Sequence, residues 1–194
     1  MARPIREVFE ALARVLDGRR VRWYVFGAQA VLAHGHPRLT ADIDITVEPG
    51  ERSNDELLAM FAEGEIVPRA EGFDAFMRTS RLLPLHHAPT QIPVDVVLGS
   101  SAIEQAFFAR AVRLDLGGAV VPILAVEDLI ALKAAAGRRK DQEDILGILE
   151  QQWARIDRAR LAAVLAALDE ALEEPRATER FERLRRRFER RKRR

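Results

Sequence analysis

The stretch Val25–Val47, VFGAQAVLAHGHPRLTADIDITV, decides how this chain is read. A β-rich run (Val21–Phe26) stops at Gly27, a helical pattern covers Ala28–Ala33, and Gly35-His36-Pro37 breaks it. Acid and aliphatic residues then alternate from Asp42 to Val47. Residues two apart in a strand share a face, so Asp42 and Asp44 project together while Ile43 and Ile45 face a core. Their Cα atoms would lie about 6.5 Å apart at the usual strand rise. Like charges so placed repel unless a cation lies between them. Oxygen donors with no His or Cys in the alternating run suit Mg2+ or Mn2+. The competing reading is an edge strand whose acids simply face water.

Three companions favour the cation. Gly27-Ala28 is a strand-to-helix turn, and free N–H groups at a helix start attract phosphate. Asp95 is a lone acid in the apolar strand Ile92–Leu98, IPVDVVL, where an unpaired carboxylate is costly to bury. Arg38 stands between the glycine helix and the acidic strand, able to reach phosphate oxygens.

Elsewhere, apolar spacing predicts helices over 5–16, 55–61, 102–109, 126–136, 140–152 and 156–173, with a charged helix from about Thr178. Ala111–Leu116 and Val120–Leu124 flank Gly117-Gly118 as a hairpin, and Phe73–Leu85 reads as one or two strands. Strands fill the middle, with helices around and after them. That order predicts an α+β fold: a mixed β-sheet flanked by helices, with a helical C-terminal region. The expected division is a domain over 1–152, a helix over 153–174 packed on it, and a basic helical tail over 175–194.

Composition narrows the function classes. The 194 residues, 48% of them hydrophobic, can bury a substantial core. The absence of cysteine excludes disulfides and thiolate chemistry. No apolar run approaches the roughly 20 residues of a membrane helix. The first residues lack the apolar core of a signal peptide, so a cytoplasmic protein is expected. Net charge is +1, yet Arg176–Arg194 holds eleven Lys/Arg against three Glu, leaving −7 on the other 175 residues. An acidic body suits cations, and a basic tail suits an anionic partner such as RNA.

The glycine turn, the D-x-D strand and a later strand with a third acid resemble the nucleotidyltransferase fold of the DNA polymerase β superfamily. GAQAVLAHGHPRLTADIDI is most similar to the small bacterial nucleotidyltransferases of the abortive-infection and toxin–antitoxin type. The resemblance continues in EDLIALKAAAGRRKDQEDILGIL (127–149), a helix with a lysine followed by a Gly-Arg-x-x-Asp-x-x-Asp run. It implies that Asp42, Asp44 and Asp95 hold the catalytic Mg2+ or Mn2+ and that Asp95 helps activate an acceptor hydroxyl. It also implies that Gly27 and Ala28 let the backbone approach an NTP triphosphate, with Lys133 touching phosphate. Ala28 departs from the family, which usually has glycine or serine there.

The implied activity is transfer of an NMP from an NTP to an acceptor hydroxyl on RNA such as tRNA, by a toxin paired with a cognate protein. The alternatives are a non-catalytic relative that binds nucleotide, nucleic acid or a partner, and transfer to a small molecule. Arg138, Asp141 and Asp144 form a further candidate cluster, with helix capping as the plainer reading. Lys133, on a Leu- and Ala-rich helix, would by itself read as a solvated residue. His34, His36, His86 and His87 lack zinc spacing. Leu161, Val164, Leu165, Leu168 and Leu172 read as a core stripe. Phe181, Leu184 and Phe188 give the tail an apolar stripe that would dock on the body or on a partner.

Overall fold

The computed structural model describes residues 3–38, 40, 42–69, 80–172 and 176–192. Its contacts divide the chain into two compact units, 1–29 with 39–124 and 30–38 with 125–194. After the sheet, the division between these units falls at Leu124/Ala125. The physical reason is that the helices after Ala125 pack extensively on one another.

The first unit holds a seven-stranded mixed sheet in the order β3-β4-β5-β2-β1-β7-β6. Its strands are β1 (Trp23–Val25), β2 (Ile43–Val47), β3 (Ile66–Pro68), β4 (Leu82–His87), β5 (Ile92–Leu98), β6 (Val112–Asp115) and β7 (Val120–Ile123). The central pair β2 and β5 is parallel, as is β1 with β7; the remaining pairs are antiparallel. Helix α1 (Arg3–Gly18) buries Val8, Phe9, Leu12, Val15 and Leu16, the face its spacing predicts. Helices α3 (Asn54–Ala62) and α4 (Ala102–Arg110) begin at capping boxes, Ser53 with Glu56 and Ser101 with Glu104. Each box satisfies otherwise orphaned N–H groups, which fixes where the helix starts. Tyr24 packs against Phe107 and Phe108, with ring centroids 6.4 and 5.1 Å away.

Three local expectations change. β2 begins at Ile43, so Asp42 lies just before the strand; the register puts Pro93 opposite it, and proline offers no N–H to extend a ladder. β3 was not signalled by the sequence. Most of the run Phe73–Leu85 lies outside the described residues, and its end enters β4.

The second unit is helical. Helix α2 (Gly27–Ala33) leads the chain into it, followed after residue 125 by α5 (Val126–Ala136), α6 (Arg139–Gln152), α7 (Arg158–Ala171) and α8 (Ala177–Lys192). The α7 residues Leu161, Val164, Leu165 and Leu168 are core, whereas Leu172 is exposed. The basic tail is a packed helix: Phe181, Leu184 and Phe188 are buried, and Phe188 meets Trp153 edge-on at 5.7 Å. Asp169 receives the backbone N–H groups of Ala177 and Thr178 at 2.6 and 3.1 Å, satisfying donors that open α8. Arg180 donates to the Ala134 and Ala135 carbonyls, satisfying acceptors at the end of α5. No described helix is long and apolar enough to cross a membrane.

Candidate active site

Register assembles the first acidic group. Asp44 on β2 and Asp95 on β5 are direct Cα partners across a parallel pair, a spacing of about 4.8 Å that turns both side chains to one face. The Phe26 N–H donates to the Asp44 carbonyl at 2.9 Å, which brings the glycine turn against the acidic strand. Gly27 has φ +62°, and a Cβ there would overlap the Asp44 carboxylate. Glycine is therefore required twice at this position, for its backbone conformation and for the close approach. Asp42 is exposed just ahead of the strand, its N–H donating to the Thr40 hydroxyl at 3.3 Å. Ala28 and Gln29 are buried, so the departure from the family's glycine or serine is a packed methyl.

Arg69, at the end of β3, was not found from the sequence. Its guanidinium donates to Asp95 Oδ1 at 2.5 Å and to the Leu85 carbonyl at 3.3 Å. Edge strand β3 pairs with β4 and β4 with β5, so sheet order delivers this arginine to the acid. The two aligned carboxylates fit a hard divalent cation by donor type and register. Among the described residues, no three His, Cys, Asp or Glu side chains form a ready metal cluster.

The second unit holds another acidic pair, fully engaged. Lys133 on α5 donates to Asp144 Oδ2 at 2.7 Å and to Asp141 Oδ1 at 3.4 Å. Arg38 reaches Asp144 at 2.5 Å, and Arg138 reaches Asp141 at 2.6 Å. The side chains of Lys133, Asp141 and Asp144 are 7%, 1% and 4% exposed, so Lys133 is no solvated helix residue. Burial alone would push the Asp141 carboxyl up. Hydrogen bonds from Arg138 and the charge of Lys133 outweigh it and hold the group below its ordinary value. Asp141 Oδ2 also accepts the Arg138 backbone N–H at 3.3 Å, so a capping contact is present alongside the ion pairs.

Of the histidines, His86 and His87 lie on β4, and His87 Nδ1 is 2.9 Å from the Thr90 hydroxyl. Burial holds the His87 imidazole below its ordinary value. The His34 carbonyl accepts from Gln152 at 3.0 Å. The His36 ring lies directly on Gly147 of α6, where any Cβ would overlap it.

Residues 10–194 match the model of the family described as nucleotidyl transferase AbiEii toxin, type IV toxin–antitoxin system. The chain belongs to this AbiEii family. Among solved structures, this AbiEii-family chain resembles the antibiotic-resistance factor ANT(2'')-Ia, with TM-score 0.60 and 17% identity over 88% of this chain and 94% of that one. It also resembles an antigenic nucleotidyltransferase-like protein from Paracoccidioides brasiliensis, with TM-score 0.51 and 21% identity over 86% and 88% of the two chains. At such identities the likeness shows a shared fold, the nucleotidyltransferase fold. No curated protein matches the chain in sequence.

Proposed function

We propose that this chain is a metal-dependent nucleotidyltransferase that moves an NMP from an NTP to an acceptor hydroxyl on RNA, acting as a toxin paired with an antitoxin. The observation that carries the reading is the alignment of Asp44 with Asp95, with Gly27 pressed against Asp44. Asp44 and Asp95, with Asp42 beside the strand, would hold Mg2+ or Mn2+. A bound divalent ion would supply charge neutralisation for in-line displacement at the α-phosphate. The acceptor oxygen gains the nucleotidyl phosphorus, pyrophosphate leaves, and the acceptor proton passes toward the Asp95 carboxylate. Gly27 leaves the backbone bare where a phosphate would approach. Phosphate binding by Lys133 or Arg38 would compete with the carboxylates each already holds.

Incubation with each labelled NTP, Mg2+ and total RNA tests this reading. Label should pass to RNA and be lost in Asp44→Ala; no transfer, or equal transfer by the variant, rejects it. A non-catalytic relative that binds nucleotide is the second reading, favoured by the Arg69 guanidinium on Asp95. Calorimetry with ATP and Mg2+ separates them: tight binding without turnover on RNA or small-molecule acceptors supports the second.

A further inference from the structure

We propose that the basic cavity between α6 and α8 is the site that holds the phosphodiester backbone of single-stranded RNA. The cavity, about 640 Å3, lies wholly within the helical unit. Arg139 of α6 and Arg187 and Arg191 of α8 line it together with His36. Two carboxylates share the lining: Glu143 pairs with Arg139 at 3.4 Å, and Glu150 lies 3.9 Å from Arg191. Three guanidiniums against two carboxylates leave the lining cationic. Among the described residues Arg187 has no ion-pair partner, and it is exposed.

Packing fixes these charges in place. Phe188 is buried beside Trp153, and Phe181 and Leu184 are buried on the same stripe, while Arg187 and Arg191, which flank that stripe, are exposed. His36 is set on α6 because Gly147 has no Cβ to displace it. The donors are side-chain guanidiniums spread over two helices, a pattern that tracks successive phosphates along a backbone and does not enclose one terminal phosphate. The basic tail is thereby one wall of a groove whose other wall is α6. The assignment of RNA as the occupant rests on the RNA-acceptor reading above.

Fluorescence anisotropy of a labelled mixed-sequence 12-nucleotide RNA, from 0.05 to 0.2 M salt, tests the proposal. Full-length Arg187→Gln/Arg191→Gln should bind about tenfold more weakly at 0.15 M salt. Its log–log salt slope should fall by about 1.4, for two single-strand phosphate contacts. Arg139→Gln should give about half that change in slope, and all variants should keep the wild-type circular dichroism spectrum. Unchanged affinity and slope would overturn the proposal, as would inorganic triphosphate binding the wild type more tightly than the RNA does. RNA transfer lost in Asp44→Ala while the arginine variants bind normally would refute this groove alone. Weakened RNA binding in those variants, with no transfer by the wild type, would refute only the catalytic reading.

Discussion

Each unit carries a pair of aspartates, and their surroundings differ sharply. Asp141 and Asp144 are buried on one helix and held by Lys133, Arg38 and Arg138. Asp44 and Asp95 sit side by side on neighbouring strands, and Asp95 is 32% exposed with a half-exposed Arg69 as its cation. Buried charges matched by several cations are a framework, because removing one partner strands the others in a dry interior. Partly exposed carboxylates with a displaceable partner remain open to a ligand. Acid pairs alike in sequence thus differ in burial: Asp141 and Asp144 are closed off, while Asp44 and Asp95 are partly exposed.

The largest effect that can break this comparison is on stability. Lys133→Ala should destabilise the fold by about 4 kcal/mol, since it leaves two buried carboxylates short of a partner. Urea unfolding would show it; a change below about 1 kcal/mol would mean that the cluster is not a framework. Gly27→Ala should cost about 2 kcal/mol, because a Cβ strains a left-handed backbone and collides with Asp44. The same substitution should abolish nucleotidyl transfer.

A pH series sharpens the contrast. Asp141 lies below its ordinary value of 3.8, so the folded state favours its charged form. Its contribution is complete above that value and fades as pH falls through the depressed one. The stability gap between wild type and Asp141→Asn should therefore hold at pH 6 and narrow below about pH 4. A gap that widens on acidification would contradict the ion pairs.

In the sheet unit, Arg69→Gln should tighten Mn2+ binding several-fold by calorimetry, because one competing cation leaves Asp95. Weaker Mn2+ binding would show that Arg69 helps to build the site. Ala28→Gly should change stability by less than about 1 kcal/mol and leave transfer within twofold of wild type.

Much of this was legible in the sequence, for definite reasons. Alternation marked β2 and β5, and Gly27 marked the turn. The apolar stripes of α1, α7 and α8 were visible as helical spacing. The partner of each stripe was not, because periodicity gives a face and not its neighbour. Lys133 looked solvated since its acids come from the next helix. β3 is three residues ending in Pro68, too short to alternate. Arg69 therefore gave no signal, and its pairing with Asp95 exists only through the order β3-β4-β5. Strand alternation places Asp42 and Asp44 on one face only where the strand begins at Asp42, and β2 begins one residue later.

Mn2+ titration by calorimetry, at a temperature where all three proteins are folded, compares the two acid pairs most directly. Asp44→Asn should abolish the binding seen in wild type, while Asp144→Asn retains it. Retained binding in Asp44→Asn, or loss confined to Asp144→Asn, would contradict the account.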